Sequence, residues 1–290
     1  MSMDMLMDIL LDGLLDSLRL VPFLFLTYLT MEYLEHKTST KTRAVVRRAG
    51  KLGPLAGSIA GVFPQCGFSA AASNLYAGGV ITTGTLIAVF LSTSDEMLPI
   101  FISESVSVRV IAVVLGIKLV LGMITGFLVD FIFRFRPSPI RYKEIHSMCE
   151  SEHCGCEEGI FPSALKHTVK IFLFVFLFSI ALGFLIQLGG EDRLAQFLSG
   201  YPVLGPLLAG IVGLIPNCAS SIVITQLFLG RMISFGTMMS GLLVGAGVGL
   251  LILFRTNKRW KENLSILCIL YVSGVVWGTV LDIIWKLYLS

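Results

Sequence analysis

Gly61-Val-Phe-Pro-Gln-Cys-Gly-Phe-Ser69 decides how this chain is read, because it occurs twice. Its second copy is Gly213-Leu-Ile-Pro-Asn-Cys-Ala-Ser-Ser221. Pro64 falls on Pro216, an offset of 152 residues, and the register runs on without a gap. Gly53, Pro54 and Gly61 meet Gly205, Pro206 and Gly213. Gly78, Ile81, Gly84 and Thr85 meet Gly230, Ile233, Gly236 and Thr237, and Gly122, Gly126 and Asp130 meet Gly274, Gly278 and Asp282. Near matches lie between them: Gln65/Asn217, Ser73/Thr225, Asn74/Gln226 and Tyr76/Phe228. Chance supplies a shared Pro-x-Cys, but hardly so many identities in one register. The chain reads as two copies of one unit, each interrupted by Pro and Gly within apolar sequence. Paired breaks of this kind in a membrane protein point to a transport site.

The medium is set by composition. Of 290 residues, 55% are hydrophobic and only 14% are charged, and the mean hydropathy is +0.84. A soluble domain carries about 25% charged residues, so this is a polytopic membrane protein with the lipid bilayer as its first partner. Apolar runs recur at a length that spans a ~30 Å hydrocarbon core. The net charge of +3 gives no reason to expect nucleic acid. A cleavable signal peptide is not expected, since Asp4, Asp8, Asp12 and Asp16 occupy the start without a basic residue. Six cysteines do not form a disulfide framework: two sit in the repeated motif, Cys268 in an apolar run and three in the central linker.

Basic clusters give the topology. Lys37 to Lys51, Arg134 to Lys143 and Arg255 to Lys261 are rich in Lys and Arg, which marks the cytoplasmic side. Full spans are expected near 9–35, 80–103 and 106–133, and again near 164–188, 233–254 and 264–287. The segments 52–77 and 203–229 are too short for two crossings each and are read as re-entrant helical hairpins with tips at Pro64 and Pro216. Every basic loop then falls inside and both termini outside. Three full spans per copy is an odd number, so the second copy is inverted. The expected fold is therefore all-α, with two inverted-topology repeats, each of three full spans and one hairpin, or about ten helical segments. Residues 1–133 form the first repeat, 134–163 a cytoplasmic linker and 164–290 the second repeat, in the cell (inner) membrane.

The two tips should meet near the midplane and bind the substrate. Non-helical backbone survives at membrane depth only where it is buried or lines a water-filled cavity. Gln65 and Asn217 offer amides, Cys66 and Cys218 sulfur, and Ser69 and Ser221 hydroxyls, with Asn74 and Gln226 further along. The half-helix starts suit an anion, while freed carbonyls suit a cation, so the motif leaves the sign of the substrate open. The bland reading is that Pro-x-Cys only kinks a packed helix. Asp95 and Glu96 interrupt the 80–103 span and are counted with the substrate-binding residues, since intramembrane carboxylates are functional candidates by default; a pair near the outer end reaching water is the alternative. Their counterparts Gly247 and Val248 are not acidic. Asp16, Glu32 and His167 are candidate proton-coupling groups, His167 because imidazole titrates near neutrality; a plain interfacial histidine is the alternative. Asp130 and Asp282 are read as helix-end or packing residues. In the linker, Cys149, His153, Cys154 and Cys156 have donor types that suit Zn²⁺ or a softer ion, against the alternative of a polar linker with incidental cysteines. No Gly-x-x-x-x-Gly-Lys-Ser/Thr motif is present, so ATP drive within this chain is not expected. No enzymatic nucleophile–base pairing stands out and no cofactor is required. A homo-oligomer is left open.

Met31-Glu32-Tyr-Leu-Glu35, Phe63-Pro-Gln-Cys-Gly67, Ser92-Thr-Ser-Asp-Glu96, His153-Cys-Gly-Cys156, Lys166-His-Thr168 and Ile215-Pro-Asn-Cys218 carry a resemblance that covers nearly the whole chain. In these the sequence resembles a bacterial family of ten-transmembrane heavy-metal exporters, whose members are also labelled manganese transporters or arsenic-efflux-like permeases. The resemblance implies a secondary transporter exporting a divalent metal such as manganese, or a metalloid. Manganese prefers oxygen ligands, whereas Cys66 and Cys218 suit softer ions. A transporter of a small inorganic or organic anion is the rival reading. A metal sensor or membrane anchor built on the linker is a third.

Overall fold

The computed structural model describes residues 52–63, 66–94, 97–134, 160–189, 204–216 and 218–289, with scattered helical positions between 14 and 29. Every regular element among them is helical. In the first copy these are α1 (Gly53–Val62), α2 (Cys66–Ala77), α3 (Thr83–Ser92), α4 (Met97–Ser103) and α5 (Val108–Arg134). The long α6 (Ile160–Gly189) follows. The second copy repeats the set as α7 (Gly205–Gly213), α8 (Cys218–Leu229), α9 (Phe235–Val244), α10 (Val248–Thr256) and α11 (Trp260–Leu289).

The boundaries follow from local chemistry. Pro54 and Pro206 stand in the first turns of α1 and α7, where the missing N–H costs nothing. Thr82 caps α3, its Oγ1 accepting from the Thr85 amide at 3.1 Å. Ser234 caps α9 in the same way, accepting from the Thr237 amide at 3.2 Å. Asp130, arriving from α5, accepts from Thr82 Oγ1 at 2.7 Å and from the Gly84 amide at 2.8 Å. It places a carboxylate on the positive end of α3, the favourable end for an anion. Asp282 of α11 lies beside Gly236 at the start of α9 and also pairs with Lys286 Nζ at 3.0 Å. The helix-end role expected for these two aspartates is the one they occupy.

Packing repeats as the sequence does. Helix α3 packs on α1 and α5, and α9 packs on α7 and α11. The copies are also interlocked: α2 packs on α10, and its counterpart α8 packs on α4. Trp277 Nε1 donates to Thr125 Oγ1 at 2.9 Å across a separation of 152 residues. Positions 125 and 277 are equivalents in the two copies, and α3 likewise touches its equivalent α9.

Four stretches among the described residues are long and apolar enough to cross a membrane: Thr83–Ser103, Val108–Phe133, Phe235–Thr256 and Trp260–Leu287. The first and third are 75% and 78% buried, the second and fourth 39% and 22%. The spans that form the centre are therefore the interrupted ones, and α5 and α11 are peripheral. Val113, Val120, Ile124 and Phe131 on α5 and Val272, Val276 and Ile283 on α11 are exposed. Apolar faces on this scale need lipid rather than water.

The expected span near 233–254 is found as Phe235–Thr256, with an interruption inside it. Helix α9 ends at Val244, and α10 starts only after Gly245-Ala246-Gly247. Gly247 has φ 53° and ψ −141°, a conformation that a side chain strains. This break is the equivalent of the one that opens at Thr93-Ser94, after α3. Both copies thus interrupt the same helix, the first with polar residues and the second with glycine.

A polar cavity at the crossing of two broken spans

The breaks leave a cavity between the copies. It is lined by Thr93, Ser94 and Met97 of the first break, Lys118 of α5, Ser220 and Ser221 of α8, and Leu242, Gly245 and Gly247 of the second break. Its volume is about 10 Å³, near the threshold for one water-sized occupant. Thr93 and Gly245, both in its lining, are equivalent positions of the two copies.

Lys118 is the ionisable side chain among the described lining residues. The side chain is 1% exposed, and Nζ donates to the Leu242 carbonyl at 2.8 Å. That carbonyl belongs to the last turn of α9, where the break removes intrahelical donors and the helix dipole is negative. An ammonium is electrostatically favoured there. The span reading of 106–133 passed over this residue. The available signal was a single lysine in the interior of a long apolar helix, where an ionisable group is a functional candidate.

The hydroxyls are committed in a particular direction. Thr93 Oγ1 donates to the Val89 carbonyl at 2.7 Å, and Ser94 Oγ donates to the Val62 carbonyl at 2.6 Å. Ser220 Oγ donates to the Ile215 carbonyl at 3.4 Å. A hydroxyl has one proton, so Thr93 and Ser94 keep only acceptor capacity toward any occupant. Ser94 also ties the first break to the end of α1, which fixes the short arm before Pro64 against the interrupted span.

The symmetry is broken at this point. The equivalents of Lys118, Ser220 and Leu242 are Leu270, Phe68 and Phe90. Leu270 and Phe90 are fully buried. At these three positions the polar or carbonyl-bearing wall of the cavity is replaced by large apolar side chains in the other copy.

Of the residues expected to form the site, Ser221 reaches the cavity. Ser69 is buried at the contact between α2 and α10, where Gly249 leaves room for it. Asn74 is buried one turn further along α2. Gln226 is exposed on α8, away from the lining. Cys66, Cys218 and His167 lie on α2, α8 and α6, but their side chains fall outside the described residues, as do Gln65, Asp95, Glu96 and Asn217 entirely. Asp16, Glu32 and the linker group Cys149, His153, Cys154 and Cys156 are outside them too. Among the described residues no cluster of three or more His, Cys, Asp or Glu groups is placed to hold a metal.

A multi-pass helical membrane protein with a polar centre is the class that fold and cavity define. A family model described as "Putative, 10TM heavy-metal exporter" matches residues 2–191 and 168–288, nearly the whole chain, and the chain belongs to that family. The family is one of transporters rather than enzymes, and it supports metal transport in general. No curated protein and no solved structure matches the chain.

Proposed function

We propose that this protein is a secondary transporter that exports a heavy-metal cargo from the cell through the cavity between the two broken spans. The observation that carries the reading is the convergence of both breaks, with their freed backbone groups and hydroxyls, on one buried polar point. In the proposed arrangement the two copies are inverted, and α1–α2 and α7–α8 are re-entrant hairpins with Gln65 and Asn217 at their tips. Arms of 10 and 12 residues in the first hairpin are about 15 and 18 Å long at 1.5 Å per residue, half a bilayer core. Alternating access would then come from one copy rocking on the other about the fixed cavity.

The placed donors are oxygens, from Thr93, Ser94, Ser220, Ser221 and backbone carbonyls, which suits a hard divalent cation such as manganese. Cys66 and Cys218 would extend the range to softer ions or a metalloid. Asp95, Glu96, Asp16, Glu32 and His167 are the candidate carriers of the coupling proton, and the Cys149–Cys156 group is a candidate cytoplasmic metal ligand set.

Reconstituted protein in proteoliposomes tests the reading. Wild type should move Mn²⁺ or Cd²⁺ in a saturable way, and Gln65→Ala, Asn217→Ala and Ser94→Ala should each reduce it while membrane insertion persists. Full activity in all three would remove the tips and the break from the mechanism. One observation favours the rival anion reading: the Lys118 ammonium stands in the cavity wall, beside the start of α8. Saturable uptake of an anion, indifferent to metal, would select that reading instead.

A further inference from the structure

We propose that Lys118 is a tethered cation, which occupies the metal subsite of the empty carrier and is displaced when cargo binds. The inference rests on the transport reading above and adds a residue and a mode of exchange to it.

Three observations lead to it. Lys118 is buried in the cavity wall, and its ammonium holds a carbonyl at the negative end of α9. Thr93 and Ser94, across the same cavity, have given their hydroxyl protons to Val89 and Val62, so they can only accept. The free volume beside it is about 10 Å³, close to one water in size, so an ion entering the cavity stands directly against the ammonium. A site made of acceptors at a helix C-terminus is a cation site, and a lysine already fills it.

Electrostatics makes the two occupants exclusive. A divalent ion within contact distance of a fixed ammonium is strongly repelled, because a buried site screens charge far less than water does. Cargo can bind only as the Lys118 side chain withdraws from the Leu242 carbonyl. When cargo leaves, the ammonium returns, and the buried carbonyl is not left bare while the empty carrier resets. The repeat equivalent Leu270 cannot do this.

The test is metal binding to the purified protein by isothermal titration calorimetry, with Mn²⁺ and Cd²⁺ as probes. Lys118→Met keeps the bulk of the stem and removes the competitor. It should bind metal about 10- to 100-fold more tightly than wild type, because cargo no longer displaces a charged hydrogen bond. Lys118→Gln keeps a donor without the charge and should also tighten binding, which preserves the test if the methionine variant fails to fold. Lys118→Arg should not tighten it. In proteoliposomes both neutral variants should keep metal-for-metal exchange while net export falls. Unchanged or weaker metal affinity in the neutral variants would overturn the proposal. So would arsenate or chromate binding that depends on Lys118, which would make the ammonium an anion ligand. Wild-type protein that neither binds nor moves metal would instead refute the transport reading.

Discussion

The same substitution at two glycines of α5 should have opposite consequences. An ideal Cβ on Gly126 would lie 2.6 Å from the Gly84 carbonyl oxygen, 2.8 Å from Ala88 Cβ and 2.9 Å from Pro54 Cβ. None of these atoms can rotate aside, so Gly126→Ala must push α3 and α1 away from α5. A Cβ on Gly116 meets nothing within 4 Å. Alanine gains up to about 1 kcal/mol of helix propensity at either site, and overpacking costs about 1–3 kcal/mol. With rigid neighbours the upper half of that range applies, which leaves Gly126→Ala about 1–2 kcal/mol less stable and Gly116→Ala up to about 1 kcal/mol more stable. The pair should differ by about 2–3 kcal/mol, or roughly 30- to 150-fold in the unfolding equilibrium. The assay is SDS-driven unfolding in detergent micelles, read by tryptophan fluorescence. Trp277 bonds Thr125 on α5, next to the substituted position, and reports loss of that contact. Gly278→Ala, the repeat equivalent, should cost as much, since its Cβ would lie 2.7 Å from the Gly236 carbonyl oxygen. Equal midpoints for the Gly116 and Gly126 variants would refute the close approach of α3 and α5, and with it the scaffold that positions the cavity.

Gly247→Ala forces a side chain into φ 53°, ψ −141° in the cavity wall; a loss of about 1–3 kcal/mol and a steep fall in transport are expected, and wild-type transport would show that the break is not fixed by this residue. Arg231 adopts φ 58° where its repeat equivalent Gly79 has φ 71°, so Arg231→Gly should raise stability by about 0.5–1 kcal/mol, measured as a higher melting midpoint in micelles. Thr82→Ala and Ser234→Ala each remove a cap from an interrupted span. Each should cost about 1 kcal/mol; no change in midpoint for either would discount the caps. Removing residues 149–158 should leave binding at the cavity intact while abolishing any Zn²⁺ taken up by the linker, as read by calorimetry on the deletion variant.

Much of the molecule was legible before any coordinates. The duplication was read from identities in one register, and the equivalent contacts of α1–α3–α5 and α7–α9–α11 follow it. Membrane insertion was fixed by apolar run length and charge, because a bilayer imposes a thickness that a sequence must match. Asp130 and Asp282 read as helix-end or packing residues from their shared place late in each copy, and the Gly84 amide that donates to Asp130 came from the structure.

Tertiary structure alone decided the centre. The interruption at Gly245-Ala246-Gly247 carries no charge or proline, so in sequence it looks like small residues within an apolar run. It becomes a break only through a backbone dihedral that α9 and α10 enforce. Lys118 was visible as a charge but not as a site residue. Its role depends on the carbonyl of Leu242, more than a hundred residues away on another copy of the unit. Sequence records which groups are available; the approach of α5 to the end of α9 determines which of them share one small buried space. That approach is a property of packing between helices, which local residue pattern does not encode.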